Sequence, residues 1–225
     1  MKKLFAFLLT VLFAVNVFSQ DCGVYHPVKT GTSLTYTYYS KSDKPERTCT
    51  MIIKNKENTA TGLKLDVDGV VKEKNGKESL TYNYTAWCDG GTFYIDMKSM
   101  MSGLAVKDLS SYKIESTNLQ FPKNLTAGMQ LPDASLKLTV EGPVNTGITS
   151  NITNRKVEGF ESVTTPAGTF ECVKITSDID SKIMFIKTSG KSVEWFALNV
   201  GMVRTESYDA KGKLAGTNIL TSIQQ

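Results

Sequence analysis

The chain has 225 residues, with 26 Lys and Arg against 22 Asp and Glu and a single histidine, a formal net charge of +4. Charges of both signs are interspersed along it, so it lacks the clustered basic face that nucleic acid requires, and nucleic acid is excluded as a partner. Its four cysteines and one histidine leave little scope for a histidine- or cysteine-based metal centre, and no metal or other cofactor is expected.

The first element is an export signal. Lys2 and Lys3 precede an apolar run over residues 4–18 that ends in Val17-Phe18-Ser19. A positive start, a short apolar stretch and small residues at the end are the three parts of a secretory signal. The run is shorter than the ~20 residues needed to span a bilayer. Cleavage is expected between Ser19 and Gln20, which makes residues 1–19 the signal peptide and 20–225 a single mature domain. Removing the two lysines lowers the mature balance to 24 basic against 22 acidic side chains. Cys22 follows closely, but Gln20 and Asp21 are poor residues to precede a lipid-bearing cysteine, so it is read as an ordinary cysteine. No later apolar run is long enough for a transmembrane segment.

Cys22, Cys49, Cys88 and Cys172 all lie in the mature chain. An even count in an exported protein predicts two disulfides, and four cysteines leave three pairings open. No pair has the CxxC spacing of a metal site.

Strands dominate from residue 33 onward. Leu34-Thr35-Tyr36-Thr37-Tyr38-Tyr39 has the aromatic and β-branched composition of a half-buried pleated surface. A polar turn over 42–45 leads to a return strand over 48–53. Leu63, Leu65 and Val67 alternate with Lys64 and Asp66, a period-two strand. Asn75-Gly76 is a strong hairpin signal, because both turn positions need positive φ. A strand over 80–87, the turn Asp89-Gly90 and a strand over 92–95 follow. Met97, Met100, Met101, Leu104 and Leu109 recur near helical spacing and predict a short helix.

Residues 121–131, with Pro122 and Gly128, read as a loop. Strands are expected again over 136–140 and 148–161. Thr165-Pro166-Ala167-Gly168 has the proline and glycine placement of a type I turn. Further strands are expected over 170–177, 183–187, 193–198 and 203–208, then a turn at Asp209-Ala210-Lys211-Gly212 and a last strand over 214–223. Many strands in local hairpins with one helix make an antiparallel all-β domain.

Chemistry has few places to come from. His26, beside Pro27, is read as a surface or edge position rather than a catalytic base, and no G-x-S-x-G elbow is present. No catalytic set is assigned. Asp66 with Asp68, and Asp178 with Asp180, would share a strand face and could act on a glycan as paired carboxylates, but they read better as solvent-facing positions. Tyr36, Tyr38, Tyr82, Tyr84, Trp87, Phe93 and Tyr94, with Trp195 and Phe196, supply rings that pack a sheet or line a cavity for a lipid or sugar.

Several segments together resemble the TapB-like family of exported bacterial proteins with the YmcC-like fold, whose function is unknown. They are residues 22–31 with 33–39; Cys88-Asp89-Gly90-Gly91-Thr92-Phe93-Tyr94-Ile95-Asp96-Met97; Thr164-Thr165-Pro166-Ala167-Gly168-Thr169-Phe170-Glu171-Cys172 with Lys174-Ile175; and Glu194-Trp195-Phe196 with Gly201-Met202-Val203-Arg204-Thr205-Glu206, Tyr208 and Lys211-Gly212-Lys213-Leu214. The resemblance implies a strongly curved antiparallel sheet forming a barrel-like or half-barrel body, and export to the periplasm of a Gram-negative bacterium. It implies a Cys22–Cys88 pair, leaving Cys49 with Cys172, and supplies no catalytic residues. The functional expectation is a non-enzymatic binding protein for a lipid or other cell-envelope ligand. The alternatives are an enzyme acting on envelope glycans and an assembly or structural component with an envelope protein partner.

Overall fold

The structure is a computed structural model that describes residues 22–99, 112–140, 147–183 and 185–225. The expected signal peptide and its Ser19–Gln20 cleavage site lie outside the described residues, as does most of the expected helix; residues 97–99, where that helix would begin, form a turn.

Thirteen strands are described: β1 (Ser33–Ser40), β2 (Pro45–Thr59), β3 (Gly62–Glu73), β4 (Glu78–Asp89), β5 (Thr92–Ile95), β6 (Tyr112–Thr117), β7 (Leu119–Pro122), β8 (Ala134–Val140), β9 (Gly147–Thr165), β10 (Gly168–Ile183), β11 (Ile186–Ala197), β12 (Gly201–Asp209) and β13 (Leu214–Gln224). All pair antiparallel in one sheet, in the order β6-β8-β9-β10-β11-β12-β13-β1-β2-β3-β4-β5-β7. The turns form where the sequence supplies the backbone freedom, as at Gly76 (φ 80°) and Gly90 (φ 58°).

The two edge strands, β6 and β7, are separated in the chain by Asn118 alone, which forces the sheet to curl until its edges meet. The result is a nearly closed barrel. Its seam is tied from inside. Residues 128–131 run beside β9, with Gly128 N donating to Val157 O (2.7 Å), Val157 N to Met129 O (2.9 Å) and Leu131 N to Arg155 O (2.8 Å). Arg155, almost fully buried, donates through Nη1 to Gln120 O (3.0 Å) on β7 and to Pro132 O (2.8 Å). Its guanidinium carbon also lies 5.2 Å from the centroid of the Phe121 ring. One side chain thus joins β7, at one edge, to the approach of β8, the neighbour of the other edge strand.

Alternation sorts the sheet into an inner and an outer face. Leu65 and Val67 of β3 have no solvent exposure, and Tyr84, Ala86 and Cys88 of β4 pack with them. Lys64, Asp66 and Asp68 between them face outward. The outer wall is charged and ion-paired, as at Lys54–Asp68 (3.6 Å) and Lys137–Glu115 (3.5 Å). Among the described residues no helix is long and apolar enough to cross a membrane.

Two parts of the chain differ from the sequence expectation. Short β6 and β7 arise where no strand is expected, although Tyr112 and Ile114 alternate with Lys113 and Glu115, and Phe121, expected in a loop, ends up buried on β7. The strand expected over 183–187 is instead the tip of the β10–β11 hairpin, since Ile183 ends β10 opposite Ile186 at the start of β11. Its apolar residues imitate a buried strand, and the tip carries no glycine, proline or asparagine to signal a turn.

Candidate functional site

The hairpins give the barrel a definite polarity. The turns after β1, β3 and β12 lie at one end, the rim; the turns after β2, β4 and β11 lie at the other, the floor.

The floor is filled by the N-terminal segment, residues 22–28. Cys22 is disulfide-bonded to Cys88 at the floor end of β4, with the Cα atoms 6.1 Å apart. Asn199 N, in the β11–β12 turn, donates to Val24 O (2.7 Å). Tyr25 packs on Phe121 and Phe196 at centroid distances of 5.5 and 6.4 Å. The Cys22–Cys88 pairing implied by the family resemblance is present. The second expected disulfide is not: Cys49 and Cys172 are both free. Cys49 sits on β2 and Cys172 on β10, with β11, β12, β13 and β1 between them in the sheet. Cys172 packs with Trp195 and Val203, and burial beside Glu171 and Glu161 pushes its thiol up to about 11. Burial likewise raises the Cys49 thiol.

His26 is not at the surface as expected. It is 4% exposed, because the segment that carries it is tucked into the floor. Nδ1 lies 3.1 Å from Pro27 O, which can only accept, so Nδ1 carries the proton. Nε2 therefore accepts from the Tyr84 hydroxyl at 2.6 Å. Burial lowers the imidazole pKa to about 4, and the ring is neutral at physiological pH.

Above His26 lies an inner cavity of about 230 Å³. Its walls are largely apolar, from Leu34, Met51, Ile95, Leu119, Phe196 and Met202. Polar tips punctuate them. The Tyr36 hydroxyl donates to Met202 O (2.9 Å), and the Tyr82 hydroxyl lies 3.0 Å from Cys49 Sγ. Burial raises the pKa of all three phenols, Tyr36, Tyr82 and Tyr84, so they stay neutral.

Among the described residues, Glu194 is the only carboxylate in this lining. It stands on β11 opposite Ile175 of β10, on the inner face, while its neighbour Trp195 lies on the opposite face of the sheet, buried with Cys172 and Val203. The surface Glu194 leaves accessible belongs to the cavity wall, and no described residue hydrogen-bonds its carboxyl. Burial pushes this carboxyl above the usual carboxylate range, a shift that the charge of Arg155 opposes only in part.

The cavity opens toward the rim. An outer depression of about 550 Å³, lined by Tyr38, Arg47, Glu73, Leu80 and Ser207, shares Cys49, Tyr82 and Asn218 with the inner cavity. Two tyrosines lie flat against the wall here because glycines face them. A Cβ at Gly69 would fall 2.2 Å from Tyr82 Cζ, and one at Gly216 would fall 2.3 Å from the Tyr38 hydroxyl. Any side chain at either position would push a ring into the passage.

The sequence-marked aromatics therefore separate into two groups. Tyr36, Tyr82, Tyr84 and Phe196 line the inner cavity, Tyr38 lines the outer depression and Phe93 packs the core. Trp87 and Tyr94 stack on each other at 5.2 Å on the outer wall. The aspartate pairs lie outside as well. Asp66 is near Lys64 (3.8 Å), Asp68 near Lys54 (3.6 Å) and Asp178 near Lys191 (3.8 Å), with Asn154 Nδ2 donating to Asp178 at 2.8 Å. Glu194 carried no sequence signal of its own; only the β10–β11 register turns it inward.

Two solved structures share this architecture. A Bacteroides fragilis protein described as exported and having a YmcC-like fold superposes with a TM-score of 0.76 and 21% identity, over 91% of this chain and 100% of its own. A Parabacteroides distasonis protein described as a lipoprotein also gives a TM-score of 0.76, with 25% identity over 91% of this chain and 100% of its own. No curated protein matches the sequence. The DUF3108-like family model matches residues 29–220, nearly all of the barrel, and the chain belongs to the DUF3108-like family.

Proposed function

We propose that this is an exported, periplasmic, non-enzymatic binding protein whose barrel interior takes a slender apolar ligand carrying one hydrogen-bond donor, such as a lipid-derived amine or alcohol. The observation that carries this reading is the inner cavity, with its apolar walls, its connection to the rim and one carboxyl that no described residue hydrogen-bonds. An apolar void of about 150 Å³ is enough to hold benzene, so a cavity of 230 Å³ has room for a ring or a short chain segment. A buried carboxyl that feels the charge of Arg155 but has no hydrogen-bond partner among the described residues favours a ligand that supplies a donor. Export is supported by the N-terminal signal pattern, by a disulfide suited to an oxidising compartment and by relatives described as exported or as lipoproteins. The non-enzymatic part is supported by the placement of the aspartate pairs on the outer wall and by the engagement of both His26 nitrogens.

Native mass spectrometry and solvent extraction of protein purified from its own host should release an apolar molecule with an amine or hydroxyl. In calorimetry, 1-octylamine and 1-octanol should bind at least about tenfold more tightly than octanoate, whose charge would meet Glu194. Glu194→Gln should remove the preference for the amine while keeping octanol binding. Absence of any extracted ligand, together with equal or no binding of the three probes, would overturn the reading.

A further inference from the structure

The β10–β11 hairpin is built unlike every other described turn at the rim. Its tip exposes three bulky apolar side chains: Ile183 at 54%, Phe185 at 78% and Ile186 at 71%. The other described rim turns are polar, with Lys44 before β2, Asn75-Gly76 before β4 and Lys211-Gly212 before β13. The tip also stands clear of the barrel on the β12 side. Asp209, the last residue of β12, pairs with Gly190, and β11 runs on past it through residues 186–189. At about 3.3 Å per residue, this is on the order of 13 Å of strand with no β12 neighbour.

The charges below the tip are equally specific. Lys182 and Lys187 face each other directly across the ladder. Like charges in directly opposed positions repel, so this pairing does not serve the hairpin itself. An exposed apolar tip above a collar of cations has the layered chemistry of a bilayer surface, with acyl chains beneath anionic headgroups.

We propose that Ile183, Phe185 and Ile186 insert into a lipid surface bearing anionic headgroups, with Lys182 and Lys187 at headgroup level. The hairpin stands at the same end of the barrel as the opening of the inner cavity, so docking turns that opening toward the membrane. This inference rests on the hairpin alone and does not require a ligand in the barrel.

Vesicle flotation of the mature chain, residues 20–225, tests it. The protein should float with phosphatidylethanolamine–phosphatidylglycerol vesicles, less so at high salt, and hardly at all with phosphatidylcholine alone. The double variant Phe185→Ser/Ile186→Ser should lower partitioning at least about tenfold, and Lys182→Glu/Lys187→Glu should abolish the preference for anionic vesicles. Both variants should keep the wild-type circular dichroism spectrum and wild-type affinity for 1-octylamine in solution, which separates this inference from the ligand reading. Failure of the wild type to bind anionic vesicles, or unchanged binding by the serine variant, would overturn the proposal. A tip that instead captures a protein partner would show the first of these results.

Discussion

At the floor of the barrel, residues 22–28 fill the end, a disulfide pins them to β4, and His26, Tyr25 and Phe196 are packed out of solvent. At the rim, Arg47 and Glu73 border an open depression, glycines hold two tyrosine rings flat, and a hairpin lifts apolar side chains into solvent. The same antiparallel hairpins make both ends. The difference lies in what is added. The floor receives a covalently held plug of buried groups, and the rim is left unfinished in the ways that serve binding. Stability should therefore concentrate at the floor and the seam, and recognition at the rim, which makes the two ends separable by mutation.

The largest effect should come from breaking the floor. The Cys22–Cys88 bond closes a loop with a sequence separation of 66. Its loss in Cys88→Ala should lower unfolding free energy by about 4 kcal/mol in the chain-entropy model. Urea denaturation measures this, and a change below about 1 kcal/mol would mean that noncovalent packing alone holds the plug.

Second is the pH response of the floor. His26 has a folded pKa of about 4 against 6.5 for the free side chain. The unfolded chain therefore binds the proton more readily than the folded one. The stabilising effect is complete above about pH 6.5 and is lost as pH falls through 4, a change of about 3 kcal/mol. Denaturation midpoints taken from pH 7.5 to pH 4 should drop in the wild type, and His26→Gln should flatten that part of the curve. Glu194 acts in the opposite sense. Its raised pKa contributes stability below the ordinary carboxylate range that is lost as pH rises through its folded value, so the His26 slope is best read in a Glu194→Gln background.

The seam comes third. Arg155→Met would leave the carbonyls of Gln120 and Pro132 buried without their donor. A loss of about 2–3 kcal/mol is expected, with faster hydrogen exchange at Gly128 and Leu131, whose amides bond to β9. Smallest is the rim tip. Phe185→Ser should change stability by less than about 0.5 kcal/mol while weakening vesicle binding, because the ring is exposed and packs little in the free protein. A large stability loss there would show that the tip is packed in solution and would collapse the distinction between the two ends.

Much of this arrangement was legible before the structure. Leu65 and Val67 alternating with Lys64 and Asp66 predicted a period-two strand, and the structure turns its apolar face inward, since side-chain direction in a strand has a period of two. Asn75-Gly76, Asp89-Gly90 and Thr165–Gly168 marked turns because each puts glycine where the backbone needs it. The errors fall where chemistry and position part company. His26 looked exposed because its neighbours in sequence do not reveal that the segment plugs a barrel. Residues 183–187 looked like a strand because an apolar run normally means burial, and here it marks an exposed tip.

By itself, the sequence determined the antiparallel all-β character, most of the hairpins and the family resemblance, because these depend on local periodicity, turn chemistry and motif order. Tertiary structure alone decided that the β6 and β7 edges meet at Asn118, that Cys49 and Cys172 stay apart, and that Glu194 faces an apolar cavity while Trp195 beside it is buried on the other face of the sheet. Each of these depends on strand order and register around the barrel. A one-residue shift in register exchanges the inner and outer faces of a strand, and no local pattern around Glu194 reports which choice the closed sheet makes.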